Sequence, residues 1–286
     1  MRADGTKESG RKDGVEITDE RVKKFSEYLL ERECSHNTNY AYRISLRKYV
    51  FVKGTWLDRI GLLEFKNDLL DTLSPKTINT YLSGIIHFAR FCGHPEIDVK
   101  KVKVQRQLAV ENIPTKGEYD MICRRLSEAG EDKKYWMIVF LAKTGARASE
   151  FVKLRKGSLE RGYQDIWNKG KMRRVYVPKS LAVESRWYFD GTEGEILFPG
   201  KGGEQMTVRG LEKAVHMIGE ECGIRAEVCH PHAFRHYFAV NFLENGGDLQ
   251  TLSNILGHQS ITTTAIYTQK SLMEQMDRLD RISAKW

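Results

Sequence analysis

The segment HPHAFRHY, residues 230–237, places three histidines and one arginine within seven residues, and Cys222 and Cys229 lie just upstream. Imidazole and thiolate groups bind metal ions, whereas imidazole and guanidinium groups together bind anions such as phosphate. The segment is therefore compatible with a metal site, with a phosphate site, or with an ordinary solvated helix surface.

The metal alternative fits the spacing poorly. The two cysteines, His230 and His232 form a Cys-x6-Cys-His-x-His pattern, whereas structural zinc sites usually place paired ligands about two to four residues apart. Arg235 follows His232 by one helical turn, where its positive charge would oppose a bound cation. We therefore expect no metal ligands in this segment.

The phosphate alternative follows from helical spacing. On a helix, His232 and Arg235 stand at positions i and i+3 and project from the same face. An imidazole and a planar guanidinium can then donate to two oxygens of one tetrahedral phosphate. Such pairs also occur on solvated helices, so the rest of the chain must decide. His230 and His236 are expected to be bystanders.

Further motifs accompany this pair in a characteristic order. The motif LGH ends at His258, and TTTAIYT places Tyr267 nine residues later. Upstream, TGARASE contains Arg147 and Glu150, and NKGKMRR contains Lys169. Together with HAFRHYFA, these boxes resemble the active-site signature of the tyrosine recombinases, the integrase and Xer family.

The N-terminal part of the chain resembles the same family. The stretches SHNTNYAYRISLRKY and LSPKTINTYLSGIIHFARF are similar to the family's DNA-clamping helices, and the resemblance spans about residues 16 to 285. It implies a site-specific recombinase that cleaves and rejoins DNA strands through a 3′-phosphotyrosyl intermediate, without a cofactor. The outcome would be integration, excision, inversion or dimer resolution.

The resemblance also implies roles for single residues. Glu150 would support the nearby arginine or a histidine, and Lys171 stands close enough to Lys169 to compete for the role of general acid. Either His258 or His232 would accept the proton of the nucleophile, Tyr267. The catalytic set would consist of Arg147, Lys169, His232, Arg235, His258 and Tyr267.

The chemistry of phosphoryl transfer requires such residues. A phosphodiester that is transferred to a hydroxyl gains negative charge on its nonbridging oxygens, and fixed arginine and histidine donors stabilise that charge. A tyrosine has an ordinary pKa of about 10, so it needs cationic surroundings or a base to become a nucleophile. Taken singly, however, Tyr267 would be interpreted as a half-buried aromatic residue and Arg147 as a helix cap.

The balance of charges agrees with a polyanionic partner, although lysines dispersed over a solvated surface would give the same total. The chain has 46 Lys and Arg residues against 38 Asp and Glu residues, a net charge of +8. We expect double-stranded DNA to contact basic residues of two segments, a linker and a hairpin. They are Lys100, Lys101, Lys103, Arg106, Lys171, Arg173 and Arg174.

Hydrophobic spacing predicts the elements that position these residues, in a mainly α fold with a small β-hairpin (α+β). Residues 1–15 are expected to be a disordered tail, and residues 16–99 an N-terminal four-helix DNA-binding domain. Residues 100–113 are expected to be a linker, and residues 114–286 the catalytic domain. The β-rich stretches on both sides of Gly170 predict a hairpin with a basic tip.

Compartment and assembly follow from weaker signals. Five scattered cysteines argue against a disulfide framework, and no secretion signal or long apolar run is visible, so we expect a cytoplasmic, nucleoid-associated protein.

The resemblance implies a homotetramer on paired DNA sites, in which the last helix, residues 272–282, docks on a neighbouring protomer or on its own domain. We expect no extra arm-binding domain, because the predicted tail of residues 1–15 is too short for one. A type IB topoisomerase and a non-catalytic DNA-binding regulator are the alternatives.

Overall fold

The protein consists of two compact units, Met1–Arg106 and Gln107–Trp286. Their boundary falls inside the segment 100–113, where the sequence predicts a linker. The computed structural model describes residues 13–104, 112–168, 171–257, 264–268, 280 and 283.

Within residues 13–104, the first unit contains four helices and one antiparallel strand pair. Polar side chains at Thr18, Ser35, Asp58 and Ser74 cap the helix starts by accepting a backbone hydrogen bond from the first turn. The apolar helix faces, with Phe25 among them, pack into one core. The elements are β1 (Gly14–Glu16), α1 (Asp19–Glu31), α2 (His36–Lys53), β2 (Trp56–Asp58), α3 (Arg59–Asp68) and α4 (Pro75–Phe91).

Both ends of the first unit depart from the sequence-based boundaries. Val15, assigned to the disordered tail, is buried and pairs with Leu57 in the β1–β2 sheet. Strands of three residues show too little periodicity to be recognised in a sequence. At the other end, the Asn79 side chain donates to the Val102 carbonyl and accepts from its N–H, both at 2.8 Å. The first residues of the predicted linker therefore pack on α4.

The second unit is built around one buried helix. Residues along α6, from Trp136 to Ala142, are buried on every side, as expected for a helix that is apolar all round. Helices α5, α9 and α11 pack against it. The elements are α5 (Lys116–Glu128), α6 (Asp132–Thr144), α7 (Ala148–Phe151), α8 (Gly157–Arg161), β3 (Tyr163–Asn168), β4 (Lys171–Tyr176), α9 (Lys179–Asp190), α10 (Val208–Glu221), α11 (Pro231–Glu244) and α12 (Leu249–Leu256), with 3-10 turns at Lys201–Gly203, Ala226–Val228 and Ala265–Thr268.

The strands β3 and β4 form an antiparallel hairpin in which Asn168 pairs with Lys171. Side chains alternate between its two faces, so Ile166 and Val175 are buried while Trp167 is exposed. This mostly helical fold with small sheets confirms the coarse part of the prediction, a mainly α fold with a small β-hairpin. Along the described ranges, we find no helix with the length and apolar character needed to cross a membrane.

Candidate active site

The first arginine of the site is positioned by a tight turn between α6 and α7. Gly145 ends α6 in the left-handed conformation, with φ of 59°, and a Cβ atom there would lie 2.5 Å from Phe238. Glycine therefore suits both the backbone conformation and the close packing. The turn delivers Arg147 to the start of α7, where its backbone N–H donates to Glu150 at 2.8 Å and its guanidinium donates to the same carboxylate at 3.0 Å.

Glu150 lies at the centre of a charge cluster. Its side chain is only 1% exposed, and it forms ion pairs with Arg147 and with Arg173 from β4. Burial favours the neutral acid, but the charge of Arg173 and the hydrogen bonds from both arginines outweigh that effect and lower the pKa of Glu150. The buried carboxylate is therefore ionised and holds two guanidinium groups in place.

Arg173 lies largely inside the unit, whereas the sequence-based prediction places it among the expected DNA contacts of the hairpin. Its side chain is 14% exposed, donates to both oxygens of Glu150, and donates to the Ile255 carbonyl at 2.9 Å. Because strand side chains alternate, Arg174 takes the outer face instead. There it pairs with Asp165 at 2.8 Å. The sequence prediction counted the charges of the hairpin without assigning them to its two faces.

Arg235 is a second buried arginine, on α11. Its side chain donates to the Gly145 carbonyl at 2.6 Å and to the Leu256 carbonyl at 2.7 Å. These carbonyls stand at the C-terminal ends of α6 and α12, where helix dipoles favour positive charge. Burial and the like charges of Arg147 and Arg173 lower the pKa of Arg235 to about 9. The group remains charged at neutral pH.

Three of the predicted catalytic residues line one cavity. Arg147, His232 and Arg235 contribute to a cavity of about 670 Å³. His230 lies beside them, but its Nδ1 accepts a hydrogen bond from the Ala233 N–H at 3.1 Å and caps α11. The fold thus brings the TGAR turn and the His-x-x-Arg helix to the same concave surface.

The predicted nucleophile meets a histidine that the sequence prediction set aside. Tyr267 lies half-buried in the last 3-10 turn, and its hydroxyl oxygen is 2.6 Å from Nδ1 of His236. The His236 ring also meets the His232 ring edge-on, with 4.2 Å between centroids. A usable signal was present in the sequence, since His232 and His236 are four residues apart and share a helix face.

The electrostatic environment of Tyr267 has two opposing parts. Burial raises the pKa of the phenol, because the charged form is poorly solvated. The positive charge of Arg235 acts in the other direction. Tyr267 is therefore a neutral phenol at physiological pH and needs a proton acceptor for nucleophilic attack.

Other predicted residues fall on the surface or beyond the described part of the chain. Lys100, Lys101 and Lys103 are exposed. The structure does not describe Lys169, His258, Arg106 or the side chain of Lys171, so the expectations for them lie outside the described residues. The same holds for the predicted C-terminal helix, residues 272–282, of which only residue 280 is described.

The cysteines belong to the core of the second unit. Cys222 and Cys229 are both buried there, and burial raises the pKa of Cys229 to about 11. In the described ranges, no three or more His, Cys, Asp or Glu side chains gather into a set of metal ligands. The two thiols pack as small apolar side chains.

Comparison with known proteins gives the family. Residues 115–274 match the phage integrase family. Tyrosine recombinase XerD of Oceanobacillus iheyensis is 27% identical over 277 residues, which cover 86% of this chain and 92% of the relative. Tyrosine recombinase XerC of Lactobacillus delbrueckii subsp. bulgaricus is 29% identical over 277 residues, with 87% and 93% covered.

Solved structures share the fold. The Tn1549 transposon integrase in complex with transposon right end DNA has a TM-score of 0.71 at 18% identity, covering 92% of this chain and 99% of that one. A lambda integrase dimer bound to a COC′ core site has a TM-score of 0.70 at 13% identity, with 89% and 77% covered. The chain therefore belongs to the phage integrase family and is a site-specific tyrosine recombinase of the Xer and integrase type.

Proposed function

We propose that this recombinase cleaves double-stranded DNA by attack of Tyr267 on a phosphodiester held by Arg147, His232 and Arg235. The observation that carries the proposal is their convergence on one cavity from separate segments of the chain. Tyr267 supports it from the neighbouring turn, close enough to Arg235 for that charge to act on the phenol pKa. The similarities to recombinases favour this function over a type IB topoisomerase or a non-catalytic regulator.

The charges around the cavity favour a bound anion. Arg147, Arg173 and Arg235 supply three positive charges, and Glu150 and the cavity-lining Glu212 supply two negative charges, so one positive charge is in excess. A DNA phosphate would supply the missing negative charge, and the five-coordinate transition state would supply more. Removal of one fixed donor from such a site typically costs about 2.7–4 kcal/mol of transition-state stabilisation.

The reaction balances without an external cofactor. The Tyr267 oxygen forms a bond to phosphorus while the bond from phosphorus to the 5′ oxygen breaks. The tyrosine proton passes to a base, and the 5′ oxygen takes a proton from Lys169 or Lys171, the candidates implied by the family motif. The 3′-phosphotyrosyl link retains the energy of the phosphodiester, so the 5′ hydroxyl of a second strand can attack it and restore the DNA.

DNA binding and assembly are proposed from the relatives and from the first unit. The Tn1549 integrase structure contains transposon DNA, and the lambda integrase structure is a dimer on a core site. By analogy, the helices of residues 16–99 clamp the duplex, with exposed Lys100, Lys101 and Lys103 near its phosphates. Four protomers would pair two sites, with residues 272–282 docked on a neighbour. The protein would act in the cytoplasm, on the nucleoid.

A nicked suicide substrate tests the proposed nucleophile. The nick lets the short strand that carries the new 5′ hydroxyl diffuse away, so religation is prevented. The covalent complex then accumulates as an SDS-stable adduct on the DNA 3′ end. The wild-type protein is expected to form this adduct and Tyr267→Phe is expected to form none, because the ring without its hydroxyl cannot attack phosphorus. An undiminished adduct with Tyr267→Phe, or none with the wild type, would contradict the proposal.

A further inference from the structure

The hydroxyl of Tyr267 contacts the ring of His236, a residue that is not part of the catalytic set implied by the family motifs. The distance from Nδ1 to the hydroxyl oxygen is 2.6 Å, and both side chains are partly buried. A general base must lie within about 2.6–3.2 Å of the atom that it deprotonates. His236 already meets that condition without any movement of the chain.

We propose that His236 is the base that accepts the Tyr267 proton during strand cleavage. The inference rests on the proposed role of Tyr267 as nucleophile and assigns a partner to it. In the neutral imidazole with its proton on Nε2, Nδ1 carries a lone pair and accepts the hydroxyl hydrogen bond. As the tyrosine oxygen bonds to phosphorus, its O–H bond breaks and the proton moves to Nδ1. In religation the imidazolium returns the proton to the departing phenolate.

The two histidines of α11 face different parts of the proposed site. His232 lines the cavity together with Arg147 and Arg235, so it faces the phosphate side of the site. His236, one turn further along, contacts the nucleophile. The edge-on packing of the two rings, with 4.2 Å between centroids, fixes the orientation of His236.

A bound DNA phosphate would favour the proposed proton transfer through its negative charge. An imidazolium at His236 would stand near Arg235, whose positive charge already acts on Tyr267. A bound phosphodiester, and still more its transition state, adds negative charge beside the arginines. That charge favours transfer of the proton to His236.

Two substitutions at position 236 distinguish a proton-accepting role of His236 from a role in hydrogen bonding or packing alone. Asn places an amide oxygen close to the position of Nδ1, so His236→Asn keeps a hydrogen-bond acceptor but cannot take up a proton at neutral pH. His236→Leu keeps volume and loses both properties. We expect both variants to bind DNA like the wild type and to form the suicide adduct about 10²- to 10⁴-fold more slowly in single turnover. Adduct formation by His236→Asn at the wild-type rate would overturn the proposal.

A sulfur-substituted substrate identifies the proton that His236 handles. With a 5′-bridging phosphorothiolate, the leaving thiolate needs no protonation, so a defect in the leaving-group acid disappears. The defect of His236→Asn is expected to persist on this substrate, whereas that of Lys169→Ala or Lys171→Ala, whichever is the acid, should be relieved. Recovery of His236→Asn on the sulfur substrate would place His236 at the leaving group and overturn the proposal.

Controls separate this inference from the proposed function. His216, an exposed residue of α10 that pairs with Glu220, provides His216→Gln as a histidine substitution expected to retain the wild-type rate. Adduct formation by Tyr267→Phe would contradict both the proposed nucleophile and the proposed base. Loss of the adduct in Tyr267→Phe, combined with a full rate in His236→Asn, would remove only the inference. Thermal unfolding of each variant verifies that it is folded.

Discussion

At the residue scale, the site depends on one buried carboxylate. Glu150 is nearly inaccessible to solvent and pairs with two guanidinium groups that come from different elements. A buried ion pair adds little stability compared with an apolar replacement, but removal of one partner leaves buried charge without compensation. Loss of the Glu150 charge is therefore expected both to destabilise the unit and to release Arg147 and Arg173 from their positions.

Glu150→Gln is expected to lower the free energy of unfolding at neutral pH by about 3–5 kcal/mol, since it preserves shape and leaves the arginines without a counterion. Urea unfolding measures this loss. Glu160→Gln, on the exposed surface of α8, should change stability by less than about 0.5 kcal/mol. Equal effects of the two substitutions would contradict the role of Glu150.

The pH dependence follows from the lowered pKa of Glu150. Its contribution to stability is present above the ordinary carboxyl pKa of 4.5 and is lost as the pH falls through the lower pKa of the folded state. The difference in stability between the wild type and Glu150→Gln should therefore shrink on acidification below that value. A constant difference down to the lowest pH at which the wild type is folded would contradict this assignment.

At the element scale, the β3–β4 hairpin places adjacent arginines in different environments. Strand alternation turns Arg173 towards α7 and the end of α12, and it turns Arg174 towards solvent beside Asp165. Both residues look equivalent in the motif NKGKMRR. The hairpin therefore contributes one positioning residue and one candidate phosphate contact.

Arg173→Lys keeps the charge but cannot donate both to Glu150 and to the Ile255 carbonyl through a planar fork. We expect adduct formation at saturating DNA to fall about 10²-fold, the scale of a misplaced catalytic group. Arg174→Lys should retain the wild-type rate. Arg174→Ala should weaken DNA binding and reduce the slope of log affinity against log salt by about one. Equal cleavage rates for the two lysine variants would contradict the division of the hairpin into two faces.

At the scale of the whole molecule, arginine and lysine side chains supply the positive charge that a bound phosphate would need. The chain carries a net charge of +8, and the described site concentrates three arginines around one carboxylate. Such a site can neutralise a phosphate by itself, which is the task that divalent ions perform in metal-dependent nucleases. The same charges make binding of the DNA backbone sensitive to salt.

Adduct formation is therefore expected to proceed unchanged in EDTA, because the arginines and histidines supply the electrostatic stabilisation. The measurement compares the suicide-substrate rate after dialysis against EDTA with the rate in added magnesium at constant ionic strength. A strict requirement for added metal would contradict the proposed chemistry.

The sequence by itself determined what depends on local spacing. Helix faces and caps, the hairpin, and the order of the motifs around Arg147, Arg235 and Tyr267 are written in residue types at fixed intervals, so fold class and family could be predicted. The lengths of ordered segments were less accurate, because the short β1 strand and the packing of Val102 on α4 depend on distant partners.

Tertiary structure decided which side chains meet. Arg147 donates to the Gly257 carbonyl across 110 positions of sequence, and His236 reaches Tyr267 across 31. No local interval encodes such contacts, since they arise when α6, α11 and α12 pack and bring their ends together. For that reason Arg173 was expected on the DNA surface and His236 was expected to be a bystander, whereas the folded chain turns one into the charge cluster and the other towards the nucleophile.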